Sequence, residues 1–206
     1  MRSVVEAIKA NMPGGGAARP GSSGAAVLRA GLWRLGFNLF PAFRGTGARV
    51  EYLEPDMREV LVELPFNWRT RNYVGTTFGG SMYAAVDPFY ALMLMQSLGP
   101  DYVVWDKAAS IRYRRSGRTT LYARFTLAEE ELRGIREELA SGGPDGRGSV
   151  DRLYNVDLTD AAGEVHATIE KTLYVRRKEA GRTAGAGYGK AAGIGCRRRY
   201  MKEEAT

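Results

Sequence analysis

The sequence predicts an α+β fold in which an antiparallel sheet wraps around one long central helix. The helix is predicted from the second half of residues 72–99, which is apolar on nearly every side and must therefore be buried all round. The sheet is predicted from two segments before this helix that alternate polar and apolar residues, and from four further strand segments after it.

Composition divides the 206 residues into three parts. Residues 12–26 and the last 26 residues are rich in glycine and alanine, with too little apolar surface to offset the entropy cost of ordering. We therefore predict a flexible segment over residues 1–26, a domain over residues 27–180 and a disordered basic tail over residues 181–206.

The distribution of charge argues against nucleic acid as a partner. The net charge is +7, but residues 48–180 contain 18 basic and 20 acidic side chains, so the basic excess lies in the two ends. A nucleic-acid-binding module would be expected to carry a basic face on its folded part. We predict no nucleic-acid partner.

Apolar runs and the N-terminal composition indicate whether the protein is expected in a membrane and in which compartment. The sequence contains no run of about 18 apolar residues and no secretory leader, so we predict no membrane partner and a cytoplasmic protein. An organelle is the alternative if residues 1–26 act as a transit peptide, since residues 1–47 include one acidic residue, Glu6.

The elements before the central helix are predicted from spacing. Four leucines recur at helical intervals ahead of Pro41, which indicates a short amphipathic helix whose leucine stripe docks on the domain: Leu28, Leu32, Leu35 and Leu39. Residues 48–53 and 58–64 alternate as strands do, and a turn at residues 54–56 joins them.

Further strands after the central helix would wrap around it. Strands are predicted over residues 102–114, 121–127, 153–158 and 165–175. A charged helix with a single apolar stripe is predicted between the second and third of these, ending at a pair of glycines; the stripe is Leu132, Ile135 and Leu139.

Two residue counts exclude most metal and nucleophile chemistries. Cys196 is the only cysteine and lies in the basic tail, while His166 is the only histidine and falls in a predicted strand. Disulfide frameworks, cysteine-rich sites and multi-histidine sites are therefore excluded, and we predict neither a metal nor a cofactor. The chemistry left to this chain uses carboxylates and backbone dipoles.

The start of the central helix carries the main candidate site. Gly79 and Gly80 lack side chains, so a carbonyl could approach backbone N–H groups that the helix leaves unsatisfied, and the helix dipole would add to the attraction. The alternative is that the paired glycines only permit close packing. Asp87 follows them within the helix, and Pro88 predicts a kink at that point.

This region resembles known families. The run N-x-x-G-T-x-F-G-G from Asn72 to Gly80, followed by Asp87, resembles the N-x-x-G-T-x-H-G-G signature of hotdog acyl-CoA thioesterases of the phenylacetate-pathway type. F-G-G-S-M-Y-A-A-V-D-P-F-Y, V-V-W-D-K-A-A-S-I and K-T-L-Y-V-R-R-K resemble a largely uncharacterised branch of hotdog thioesterase-like proteins. The resemblance covers about residues 37–178 and implies a hotdog fold and a homo-oligomer, either dimer or tetramer. Phe78 stands where the signature has histidine.

The resemblance implies roles for individual residues. Asp87 would be the general base or nucleophile, with Asn72 positioning water or the acid; the alternatives are a structural carboxylate at the kink and a local cap. The acyl thioester would be bound by Gly79, Gly80, Thr76 and Phe78.

Distance along the helix predicts a shared site. Asp87 lies seven residues beyond Gly80, or about 10 Å at the rise of an α-helix, too far to act on a carbonyl at its own helix start. We expect the acid to serve a substrate held by a second subunit. Arginines at the end of a predicted strand could bind coenzyme A phosphates or form a solvated strand end: Arg112, Arg114, Arg115 and Arg118. Asp106 and Lys107 are expected on opposite strand faces.

The predicted function is therefore hydrolysis of an acyl-CoA or related thioester by Asp87 and a backbone oxyanion site at Gly79 and Gly80. The alternative is a hotdog module that binds acyl-CoA or fatty acyl ligands without catalysis. Asp87 favours hydrolysis, and Phe78 in place of histidine favours binding.

Overall fold

The computed structural model of the chain describes residues 23–144, 146 and 148–178. The predicted tail at residues 181–206 lies outside the described residues, as do residues 1–22 of the predicted flexible segment. Helix α1 (Gly24–Leu39) begins ahead of the predicted domain start at residue 27, with the Ser23 side chain accepting a hydrogen bond from Ala26 N–H at its N-terminus.

Six antiparallel strands form one sheet, which confirms the predicted strands. They are β1 (Arg49–Leu53), β2 (Glu59–Leu64), β3 (Tyr102–Tyr113), β4 (Leu121–Thr126), β5 (Ser149–Thr159) and β6 (Val165–Arg177). The order across the sheet is β1-β2-β4-β5-β6-β3, so β1 and β3 are the two edges.

The central helix is broken in two at the predicted kink. Helix α3 (Gly79–Val86) ends before Asp87, and α4 (Phe89–Leu98) begins after Pro88, whose ring nitrogen has no hydrogen to donate. Both halves are buried, with Val86, Phe89 and Met93 fully inside the core. The ring of Phe89 lies 5.0 Å from that of Phe125 on β4. A sheet wrapped around a buried helix is the predicted fold class.

The orientation of α1 corrects one prediction: the leucine stripe does not pack on the domain. Leu28, Leu32, Leu35 and Leu39 are 66%, 60%, 55% and 57% exposed. The opposite face docks instead, through buried Ala30 and through Asn38, whose amide donates to Val50 O (3.1 Å) and accepts from Val50 N–H (2.7 Å). The physical reason is that β1 is an edge strand, so its backbone groups need partners that leucines cannot supply.

Two further helices complete the described fold. Helix α2 (Pro41–Gly45) follows α1 and buries Phe43 against Phe89. Helix α5 (Glu129–Ala140) packs against β5 and α4 and buries the predicted stripe of Leu132, Ile135 and Leu139 in the core. It ends before Gly142, whose φ of +98° is a conformation that glycine adopts without strain.

Over the residues that the structure describes, no helix is both long and apolar enough to cross a membrane.

Candidate active site

The loop before the central helix is closed by Asn72 and Thr76. Asn72 Nδ2 donates to Thr76 Oγ1 (2.9 Å), and Thr76 N–H donates to Asn72 Oδ1 (3.0 Å). The backbone adds Asn72 N–H to Thr76 O (2.8 Å), while Gly75 has a φ of +83°. Both ends of the Asn72 amide are therefore engaged in the loop, which is the arrangement expected of a local cap. A catalytic role for Asn72 stays a prediction.

Helix α3 begins with the two candidate glycines. The first helical hydrogen bond is donated by Met82 N–H to Phe78 O (3.1 Å). The N–H groups of Gly79, Gly80 and Ser81 therefore lie before the helical hydrogen bonds begin. The phenyl ring of Phe78 is 55% exposed and lies over Gly80, where a Cβ would be 2.5 Å from the ring. A Cβ on Gly79 would lie 2.6 Å from the Tyr113 hydroxyl. Both rings belong to exposed side chains, so a Cβ at either glycine would have to displace an aromatic ring at the surface.

Gly79 lies in a surface depression of about 400 Å³. The depression is formed where the loop, the start of α3 and the end of β3 meet, and its lining is Asn72, Thr76, Thr77, Gly79, Met82, Tyr113, Arg114, Arg115, Ser116 and Gly117. Thr77 ties the two sides together, because its N–H (2.8 Å) and Oγ1 (3.2 Å) both donate to Gly117 O. The structure therefore brings Asn72, Thr76 and Gly79 into one site.

Two of the four candidate arginines border this depression. Arg114 Nε donates to Thr168 Oγ1 (3.1 Å), and Arg115 pairs with Glu164 (3.1 Å). Both arginines are exposed, so their guanidinium groups face solvent beside the depression. Arg112 and Arg118 are exposed as well but do not line it.

Asp87 occupies the break between α3 and α4 and does not line the depression. Its Oδ1 accepts from the Tyr83 hydroxyl (2.8 Å) and from Lys171 Nζ (2.9 Å). The Lys171 ammonium also donates to the backbone carbonyl of Asp87. The side chain of Asp87 is 43% exposed.

Lys171 contacts both Asp87 and Asp106, and the sequence pattern assigned neither Lys171 nor Asp106 to the site. Lys171 Nζ lies 2.8 Å from Asp106 Oδ1, and the lysine side chain has no exposed surface. A signal was available: the inward positions of β6 are apolar apart from this lysine, namely Ala167, Ile169, Leu173 and Val175. Lys107 donates to Asp151 instead (2.6 Å), so Asp106 and Lys107 have separate partners, as their expected opposite faces require.

The single histidine contributes to a hairpin turn. His166 is buried, its Nε2 lies 3.3 Å from Asp160 Oδ2, and its backbone carbonyl accepts from Arg114 and Arg115 N–H. Asp160, Glu164 and His166 each place one possible metal-ligand atom within 4.8 Å of the others. Asp160 Oδ1, however, already accepts from two backbone N–H groups of the turn, and Glu164 pairs with Arg115. These are the contacts of a structural turn.

One protein family matches most of the chain. The matching family is described as "Domain of unknown function (DUF4442)", and the match covers residues 31–175. No curated protein matches the chain.

Solved structures share the fold at low sequence identity. A Pseudomonas aeruginosa protein of unknown function, PA5026, described as "Probable Thioesterase", is 23% identical, with a TM-score of 0.62 over 71% of this chain and 95% of that chain. The thioesterase HI1161 of Haemophilus influenzae is 16% identical, with a TM-score of 0.50 over 70% and 90%. OLEI01261 of Chlorobaculum tepidum, of unknown function, is 13% identical, with a TM-score of 0.56 over 74% and 96%. The fold of this chain is therefore the hotdog fold.

Proposed function

The chain belongs to the family described as a domain of unknown function (DUF4442), and we propose that it hydrolyses an acyl-CoA or related acyl thioester. The observation that carries the proposal is the position of Gly79, at the first turn of a buried helix and in the wall of a depression. Backbone N–H groups at a helix start stabilise the negative oxygen that forms when a thioester carbonyl is attacked. The thioesterase names of structural neighbours support the same reaction class.

In this reaction Asp87 acts as the general base. The carboxylate takes a proton from water, and the water oxygen bonds to the thioester carbonyl carbon. The resulting oxyanion is held by the N–H groups at the start of α3 while the C–S bond breaks. The sulfur leaves as thiolate and takes up a proton, so that one thioester and one water give one carboxylic acid and one thiol.

The base and the oxyanion site come from different subunits in this proposal. Asp87 does not line the depression that contains Gly79, which agrees with the spacing of about 10 Å along a helix. The edge strand β3 supports dimer formation, because residues 105–110 are exposed although they alternate between both faces of the sheet. A long exposed edge is a surface that a second strand can pair with. A homodimer with two composite sites follows, and a tetramer would contain two such dimers.

Arg114 and Arg115 favour a substrate that carries a phosphorylated nucleotide, as acyl-CoA does. Guanidinium groups bind phosphate oxygens through paired hydrogen bonds, and these two lie at the rim of the depression. An acyl-CoA could place its thioester at Gly79 with its phosphates toward this rim. A thioester without phosphates would gain nothing from the arginines.

Binding without hydrolysis is the second candidate, and Phe78 is the observation that favours it. Its half-exposed ring lies over Gly80 at the helix start, where an incoming thioester carbonyl would need access to backbone N–H groups. If the ring stays in this position, the thioester carbonyl does not reach the backbone N–H groups. The protein would then bind acyl ligands without hydrolysing them.

Thiol release from a panel of acyl-CoA chain lengths separates the two candidates. Hydrolysis gives a steady rate of thiol release with at least one chain length. Acyl-carnitines or free acids added as competitors lower this rate only if they bind at the acyl site. Flat traces with every chain length, together with a ligand-dependent rise in melting temperature, would contradict hydrolysis and support the binding module.

Mixed dimers test the composite site. Gly79→Val subunits keep Asp87 but fill the helix start, and Asp87→Asn subunits keep the helix start but lack the base. Verified heterodimers should recover one working site, or about half of the wild-type turnover, whereas each homodimer is inactive. Heterodimers without recovered turnover would contradict a site shared between subunits.

A further inference from the structure

The fully buried lysine on β6 is the feature that the proposed function has not used. Lys171 has 0% exposed surface and lies between Ile169 and Leu173, which are equally buried on the inward face of the strand. Lysine is almost never fully buried unless its charge is paired, because removing an ammonium from water is costly. Its surroundings must therefore compensate the charge.

Three oxygen atoms of two aspartates surround the ammonium group. Lys171 Nζ donates to Asp87 Oδ1 (2.9 Å) and to the Asp87 backbone carbonyl, and it forms an ion pair with Asp106 Oδ1 (2.8 Å). Two of the three ammonium hydrogens are therefore engaged by Asp87, and Asp106 adds a second carboxylate beside the charge. Two carboxyl groups therefore contact one ammonium group at the break of the central helix.

A bulge in the edge strand brings the second carboxylate into this cluster. The register between β3 and β6 shifts between Asp106 and Ala108, which leaves Lys107 as the extra residue. Bulges re-aim side chains and are common beside functional sites. Here Asp106 reaches Lys171, and the extra residue, Lys107, donates to Asp151 on β5.

The contacts hold Asp87 in one orientation. Oδ1 accepts from both Lys171 and Tyr83, and among the described residues these contacts leave Oδ2 as the oxygen that can meet a substrate. The Asp87 side chain is 43% exposed and that of Asp106 42%, while Lys171 is enclosed behind them. The groups that face Asp87 are Tyr83 from α3, Lys171 from β6 and, across the lysine, Asp106 from β3.

We propose that Lys171 is a positioning residue that fixes Asp87 as a carboxylate with Oδ2 presented outward, and that Asp106 tunes this effect by sharing the ammonium. The inference rests on the proposed function, in which Asp87 takes the proton from water. Lys171 touches no substrate, because it has no exposed surface. Its effect therefore falls on the rate and its pH dependence, with KM unchanged.

The test compares pH–rate profiles of two variants. Asp106→Asn leaves the ammonium to Asp87 alone, so the acidic limb of kcat/KM should move to lower pH. Lys171→Met combined with Asp106→Asn removes the buried charge together with one counter-charge, which limits the cost to folding. Its acidic limb should lie at higher pH than that of Asp106→Asn by about one pH unit, with kcat lowered about tenfold or more and KM unchanged.

Lys107→Met is the matched control, because Lys107 also pairs with an aspartate but is 57% exposed and has no contact with Asp87 in the described structure. Its profile should overlay that of the wild type. Circular dichroism and urea unfolding establish that each variant is folded before the profiles are compared. Identical acidic limbs in folded, active variants would overturn the inference alone.

A second readout is independent of hydrolysis. In protein labelled with ¹⁵N-lysine, a buried ammonium held by hydrogen bonds exchanges its protons slowly and gives a sharp signal, which Lys171→Met assigns by removing it. Asp87→Ala should broaden that signal, whereas persistence of a sharp signal would overturn the contact. A wild type with a sharp signal but no thioester hydrolysis would instead overturn the proposed function.

Discussion

The hydroxyl of Tyr83 donates a 2.8 Å hydrogen bond to Asp87 Oδ1 across one turn at the end of α3. The two residues are four apart, which is the spacing that places side chains next to each other on a helix. Burial, and then the hydrogen bond to Asp87 and the charges of Asp87 and Asp106, raises the pKa of Tyr83 to about 12. The tyrosine therefore stays a neutral donor to the proposed base through the physiological pH range.

Tyr83→Phe should differ in stability from the wild type at neutral pH, and this difference should shrink as the pH becomes alkaline. The unfolded-state pKa of tyrosine is about 10 and the folded-state pKa is higher, so the contribution of Tyr83 is fully present below pH 10 and is lost as the pH rises from about 10 to about 12. We expect the wild type to lose more free energy of unfolding over this range than Tyr83→Phe does. Below pH 9 the variant should be less stable by about 1 kcal/mol.

Urea unfolding at pH 8, 9, 10 and 11 measures this difference. Tyr73→Phe is the control, because Tyr73 is fully exposed and should follow the wild type at every pH. Parallel curves for the wild type and Tyr83→Phe above pH 10 would contradict a neutral, hydrogen-bonded Tyr83.

Asp87→Asn separates a catalytic carboxylate from a structural one. The substitution keeps the shape and most hydrogen bonding but removes the charge, so turnover should fall by about 10² to 10⁴ if Asp87 is the base. Acyl-CoA binding and melting temperature should change little. The measurement is thiol release next to thermal unfolding, with the exposed Asp101→Asn as control.

A different result would assign Asp87 to the helix break alone. In that case the substitution would lower the free energy of unfolding by about 1 to 3 kcal/mol, while the folded fraction kept its turnover.

The docking of α1 predicts unequal losses of stability for two substitutions on its two faces. Asn38→Ala removes both partners of the buried Val50 backbone and should lower the free energy of unfolding by about 1 to 3 kcal/mol. Leu32→Ser changes a side chain that is 60% exposed and should cost less than about 0.5 kcal/mol. Chemical unfolding of both variants checks the prediction. A larger cost for Leu32→Ser than for Asn38→Ala would show that the leucine face is the covered one.

Asp160 predicts a loss of stability at acidic pH. Burial alone would raise the pKa of Asp160, but the N–H groups of Glu164 and Ala162 and the His166 side chain outweigh it, so this pKa lies below its usual value of 3.8. The stability from Asp160 is therefore present above about pH 4 and is lost as the pH falls through the folded-state pKa.

Asp160→Asn should be less stable than the wild type at pH 6, and the two should converge as the pH falls below 4. Urea unfolding at pH 6, 5, 4 and 3 tests this, with Asp157→Asn on the exposed face of β5 as control. A constant difference between wild type and Asp160→Asn over this range would contradict the prediction.

Local pattern was sufficient for most of the fold. The apolar residues on all sides of segment 82–98 predicted a buried helix, Pro88 predicted the interruption, and alternation predicted the first two strands. The capping contacts of Asn72 and Thr76 also follow from neighbours in sequence. Each of these features depends on residues a few positions apart, which is the range over which backbone geometry and side-chain period act.

The face on which α1 packs could not be inferred from the same kind of pattern. The leucine stripe favoured one face, whereas Asn38 and the unpaired backbone of β1 decided for the other. The gain from bonding an edge strand is visible only after the strand order is known, because β1 has a free edge only through its place in the sheet.

By itself, the sequence determined the element types, the helix break and the location of glycines, Asp87 and arginines along the chain. Only the tertiary structure decided that Lys171, 84 residues from Asp87, supplies its counter-charge and that Asp106 shares it. The physical reason is that a buried charge selects its partners by distance in space, and here the pairing of β3 with β6 and the bulge at Lys107 set those distances.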